Sequence, residues 1–74
     1  MVTDMMIIEN VKSSNVKSIG YDKDEETLQV RFNSEEIYHY FDVPEDVYET
    51  FKSAKSVGKW LVSNIKNKYK YSKI

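Results

Sequence analysis

The sequence predicts an α+β domain: a small three-stranded antiparallel β-meander followed by two short helices packed on one of its faces. Three observations carry this. Leu28, Val30 and Phe32 alternate with Thr27, Gln29 and Arg31, the period of a strand buried on one side. Pro44 is followed by two acidic residues and then by apolar residues at helical spacing. Strand-like segments come first and helix-like segments after them, the order that distinguishes α+β from alternating α/β chains. With 74 residues there is room for one domain, because at this length only about 60% of the unfolded chain's surface can be buried. No cysteine is present, so the domain is held by aromatic and aliphatic packing alone. Ten aromatic residues beside 31% charge argue against disorder.

Residues 1–12 mix methionine and isoleucine with scattered charge and are read as an N-terminal arm or a short strand. Ser13, Ser14 and Asn15 form a turn ahead of a strand over 16–21, with Ile19 and Tyr21 on one face and Val16, Ser18 and Gly20 on the other. Asp22 to Glu26 is a charged turn, and the alternating segment 27–32 is the second strand. Asn33, Ser34 and Glu35 turn the chain again into a third strand over 37–41, rich in aromatic and β-branched residues. Connections this short imply antiparallel neighbours. Pro44 suits a helix start, where Glu45 and Asp46 complement the exposed N–H groups, and Val47, Tyr48, Phe51 and Ala54 make an apolar stripe. Ser56 caps a second helix, in which Val57, Trp60, Leu61, Ile65 and Tyr69 share a face. Gly58 near its start leaves room for a close approach. Residues 70–74 are read as a basic tail.

The formal net charge of −1 divides unevenly. Residues 1–50 hold twelve acidic groups against four cationic ones, a balance of −8, whereas residues 51–74 hold seven lysines and no acid, +7. Such asymmetry points either to an acidic partner, nucleic acid foremost, or to neutralisation of one half by the other within the fold. If the second helix runs to the C-terminus, Lys59, Lys66, Lys70 and Lys73 line one of its faces, with Asn64, Asn67, Tyr69 and Tyr71 interleaved as hydrogen-bonding and stacking groups. The same lysines equally suit a solvated helix face with cations near the last carbonyls.

Catalytic chemistry finds little support. The one histidine, His39, lies in a strand between Tyr38 and Tyr40 and reads as structural, because no base–nucleophile pair is near it in sequence. Asp22, Asp24 and Glu26 imitate the start of a calcium loop, but Thr27 and Asn33 stand where its glycine and its final glutamate belong. They are read as a solvated turn. Two glycines in all leave no phosphate-cradling loop. No cofactor and no metal are expected. Tyr38 and Tyr40 project from one strand face, where they either stack unpaired bases or fill the core under the helices.

These fragments, in this order, resemble the KTSC domain, a module named after the C-terminus of some lysyl-tRNA synthetases and also found as a free-standing small protein in bacteria and their phages. The residues that carry the resemblance are Ser13-Ser14-Asn15-Val16, Ile19-Gly20-Tyr21, Leu28-x-Val30-x-Phe32, Tyr38-x-Tyr40, Val43-Pro44-x-x-Val47-Tyr48, Ala54-x-Ser56-x-Gly58-Lys59 and Asn64-Ile65-Lys66. They place the domain at 13–69. Two departures stand out: Asn33 to Glu36 replaces the usual glycine turn before Tyr-x-Tyr, and Trp60-Leu61-Val62 follows Lys59 where an aromatic-Asn pair is commoner. The resemblance implies no catalytic residues and an RNA-binding role, carried onto Tyr38, Tyr40, Lys59 and Lys66.

The expected protein is therefore a cytoplasmic, non-enzymatic module with no membrane association. It binds RNA or another nucleic acid through Tyr38, Tyr40, Lys59, Lys66, Lys70 and Lys73, the lysines contacting phosphate. The rival is a protein-interaction module, phage-encoded, that engages a host protein through its acidic residues, Asp22 to Glu26 with Glu35 and Glu36, or through a strand edge.

Overall fold

In a computed structural model, residues 15–74 are described in full and residues 7–10 as backbone. The order is β1 (Ile7–Asn10), β2 (Val16–Asp22), β3 (Thr27–Phe32), β4 (Ile37–Tyr40), α1 (Glu45–Lys52), α2 (Val57–Asn64) and β5 (Tyr71–Lys73). The three expected strands are the middle of a five-stranded antiparallel sheet in the order β1-β2-β3-β4-β5. The α+β class stands, with a strand added at each edge. Within the arm, Ile7–Asn10 pairs with β2; residues 1–6 and 11–14 lie outside the described residues. The C-terminal tail is corrected as well, because residues 71–73 return after both helices and pair with β4, Tyr40 opposite Tyr71 and Tyr38 opposite Lys73.

One face of the sheet is apolar and lies under the helices. Ile19, Tyr21, Leu28, Val30 and Tyr40 meet Tyr48 and Phe51 of α1, Val57 and Leu61 of α2, and Ile65 just beyond it. Val16 joins this face rather than the opposite one. Lys17 is an extra residue in β2, so Val16 pairs with Phe32 while Ser18 pairs with Arg31, and the bulge resets the alternation. Asp22 is likewise not solvated. It is buried at the end of β2, and its Oδ1 accepts from the backbone N–H groups of Asp24 (3.0 Å) and Glu25 (3.1 Å), which closes the turn.

The turn before β4 explains the missing glycine of the family pattern. Phe32 donates to Glu36 C=O and Glu35 donates to Phe32 C=O, both at 2.9 Å, and Glu35 sits at φ 74°, the left-handed region that favours glycine. Its carboxylate compensates by bonding Lys17 Nζ at 2.8 Å and the Arg31 guanidinium. These partners hold the Glu35 carboxyl down at about 2.

Both helices start as their caps predict. Pro44 C=O accepts from Val47 (3.1 Å) and Tyr48 (3.3 Å), and Ser56 Oγ accepts from Lys59 N–H at 3.4 Å. The second helix stops sooner than its apolar spacing suggested. Ile65 and Lys66 both donate to Leu61 C=O at 2.9 Å, and the chain then turns through residues 65–68. Beyond this point lysines recur at Lys66, Lys68 and Lys70, and like charges four apart oppose a further helical turn. Tyr69, Tyr71 and Lys73 alternate with Lys70 and Ser72 at period two, and the open edge of β4 accepts them as a strand. Among the described residues no helix is long and apolar enough to cross a membrane.

Candidate functional site

The early end of α2 leaves part of the sheet uncovered. There a groove of about 500 Å³ runs between the sheet face and α2, within the range of about 300–1,000 Å³ typical of ligand sites. Its sheet wall is aromatic: Phe32 meets Tyr38 edge to face with centroids 5.6 Å apart, Tyr38 lies 6.4 Å from Tyr40, and Tyr71 tilts against both at 5.6 and 5.8 Å. The opposite wall comes from Gly58, Leu61 and Val62 of α2, with Lys66 and Asn67 from the following turn. Asn33, Ser34 and Glu36 of the β3–β4 turn add polar groups.

Of the residues expected to bind, the groove gathers Tyr38, Tyr40 and Lys66. Tyr40 is largely a core residue, 3% exposed, and burial, then Tyr38 and Tyr71, push its hydroxyl pKa up. It stays protonated at neutral pH. Tyr38 is half-buried, so the two alternatives for this pair resolve differently for its two members: Tyr40 packs, and Tyr38 presents ring surface to the groove. Lys59, Lys70 and Lys73 lie outside the groove, and the single lysine face on a continuous helix is corrected. Lys59 is on α2, Lys66 in the turn after it, Lys70 beyond that turn with its carbonyl accepting from Phe41 N–H at 2.9 Å, and Lys73 in β5.

Lys73 is also engaged. Its ammonium meets Glu36 Oε2 at 2.5 Å, which raises the lysine pKa and lowers the carboxyl's. Lys52 pairs with Glu49 at 2.9 Å. The other five C-terminal lysines, Lys55, Lys59, Lys66, Lys68 and Lys70, have no carboxylate partner among the described residues. Among the described residues, internal neutralisation therefore reaches two of these seven lysines.

His39 is buried on the face away from the groove, its Nε2 2.8 Å from Gln29 Oε1, and burial lowers its pKa. The ring is neutral at pH 7, and its cross-strand partner is an amide rather than a nucleophile or a carboxylate. No group of His, Cys, Asp and Glu side chains among the described residues has the arrangement of a metal site.

Sequence reasoning missed Tyr71 as a groove wall and Gly58 as its opening. Tyr71 is 57% exposed and Val62 58%, and both stand on the lips of the groove. The signal for Tyr71 was the period-two run from Lys68 to Lys73, legible as a strand. Gly58 costs α2 roughly 1 kcal/mol relative to alanine, and it has no positive φ that would require glycine. Spacings of three and four put it on the same helix face as Leu61 and Val62, so its missing side chain is open space in the groove.

The KTSC domain model matches residues 12–69. A crystal structure of a KTSC domain protein from Yersinia pestis is 39% identical, with a TM-score of 0.90 over 93% of this chain and 97% of that one. A protein from Tsukamurella paurometabola is 32% identical over 60 residues, 81% of this chain and 90% of its own length. A lysine–tRNA ligase from Nostoc punctiforme is 33% identical over 63 residues, 85% of this chain but 11% of the ligase.

Proposed function

This chain belongs to the KTSC domain family, and from that premise we propose that it is a non-enzymatic module that binds single-stranded RNA through its C-terminal lysines. The observation that carries the reading is the set of five lysines between positions 55 and 70 without a carboxylate partner among the described residues. A cation left unpaired on a surface is available to phosphate, and each phosphate neutralised releases counterions, which drives association at low salt. Lys59, Lys66 and Lys70 supply such contacts directly; Lys73 joins them only by leaving Glu36. The likeness to a segment of a lysine–tRNA ligase supports the same partner class, since a domain carried by that enzyme has tRNA within reach. A non-enzymatic role is supported by the setting of His39, and a cytoplasmic one by the cysteine-free composition. The acidic-face alternative loses Glu35 and Glu36, both already engaged by cations of this chain.

The test is a titration of labelled mixed-sequence single-stranded RNA, followed by fluorescence anisotropy across a salt series. Affinity falls steeply with salt, and Lys66→Glu and Lys70→Glu each weaken binding and flatten the slope by at least about 0.7, the share of one phosphate contact on a single strand. Absence of binding at low salt overturns the proposal.

A further inference from the structure

Phosphate contacts account for the lysines but not for the groove beside them. Its sheet wall is built of aromatic faces, its helix wall is opened by Gly58, and an exposed apolar residue stands on each lip. Lys66 belongs both to the groove lining and to the lysines without a carboxylate partner among the described residues. An occupant that satisfies this combination has a flat, apolar-faced ring and a negative charge one short linker away. An unpaired nucleotide has both, and a base is turned out of its stack only where a protein face replaces its neighbours.

We infer that the groove between Tyr38, Tyr71 and Gly58 holds one unpaired nucleobase, stacked on the tyrosine faces, with the phosphate of that nucleotide on Lys66. The inference rests on the RNA reading above and adds to it a base-binding site. Gly58 determines capacity: a side chain there extends from the α2 face that carries Leu61 and Val62 and occupies the space of the base. Helical backbone at Gly58 without positive φ means that a larger residue fills the groove without straining the fold.

The experiment compares two labelled RNA-length oligonucleotides with equal phosphate counts, one mixed-sequence and one abasic throughout, against wild type, Gly58→Met and Tyr71→Ala. Wild type prefers the base-bearing strand by about tenfold, the scale of one base stacked on an aromatic side chain. Gly58→Met keeps the far-UV circular dichroism of wild type with a thermal midpoint at or above it, and binds the abasic strand as wild type does, but its preference for the base-bearing strand drops to near unity. Tyr71→Ala, a change at an exposed ring, lowers the preference in the same direction. Equal binding of both strands by wild type overturns the base site and leaves the phosphate reading standing, as a groove that takes an apolar protein side chain requires. A folded Gly58→Met that retains the preference also overturns it. Binding of neither strand overturns the phosphate reading and the base site together.

Discussion

Tyrosines line both ends of the same sheet face, yet one group is closed and the other open. Below α1, Tyr21 and Tyr48 stack at 4.8 Å and 10°, both rings buried, and the Tyr21 hydroxyl donates to Val43 C=O at 2.5 Å. Burial, with Glu26 and other carboxylates nearby, pushes that hydroxyl's pKa up to about 12. Beside α2, Tyr38 and Tyr40 stack at the longer spacing of 6.4 Å, and Tyr71, mostly in solvent, tilts against both. The sheet contributes similar rings in both places. What differs is the helix opposite: α1 presents Tyr48 and Phe51, whereas α2 presents Gly58 and ends at Asn64. Whether an aromatic strand residue is closed into the core or left on an open groove wall is thus decided by the residue facing it across the layer.

The strongest way to break the contrast is to empty the closed side. Phe51 is fully buried and stacks on Trp60 at 5.4 Å, linking the two helices. Phe51→Ala is expected to cost about 3–5 kcal/mol, a large share of the roughly 5–15 kcal/mol that stabilises an ordinary domain. Urea denaturation reads it directly, and a loss below about 1 kcal/mol removes the claim that this side carries the fold. A smaller effect isolates the polar half of the same side. Tyr21→Phe keeps the ring stack but leaves Val43 C=O without its buried donor, at a cost of about 1–3 kcal/mol. A variant as stable as wild type shows that solvent replaces the hydroxyl.

The closed side was the legible one. β3 was read from its alternation, and the two helix starts from Pro44 and Ser56, because these signals lie within a few residues of the structure they specify. The edge strands β1 and β5 are short, and β5 is wholly exposed, so its period-two run buries nothing and it forms only where a neighbouring edge accepts it. The face of Val16 depended on a one-residue bulge at Lys17, which no periodicity count includes. At the open side, Tyr38, Tyr40 and Lys66 were named from sequence, and the fold brings them to one groove. The row of Lys59, Lys66, Lys70 and Lys73 required a continuous helix, and it dissolved where the chain left helix for strand. Tyr71 and Gly58 meet only through the return of the chain after α2, a tertiary event with no local trace.

The smallest expected effect sharpens how the open side is closed at its rim. β5 has no buried side chain, and the ion pair of Lys73 with Glu36 ties it to the start of β4. The Lys73 hydrogen bond, then that from Ser34 Oγ, holds the Glu36 carboxyl below the usual carboxylate range. A carboxyl whose pKa is lower folded than unfolded stabilises the folded state above its unfolded value, 4.5, and that contribution is lost as pH falls through the depressed folded value. Its loss is local, because Ile74 N–H donates to Ile37 C=O at 2.8 Å immediately beyond the pair. Amide-exchange protection at Ile74 is therefore expected to decline between neutral pH and the acid range while protection at Leu28 and Val30 of β3 holds, since core burial rather than an ion pair secures the middle of that strand. Glu36→Gln abolishes that decline by removing the titrating group, and Ile74 then starts from the lower protection that wild type reaches in acid. A pH dependence at Ile74 that survives Glu36→Gln assigns it to another group and separates the rim of the groove from this ion pair.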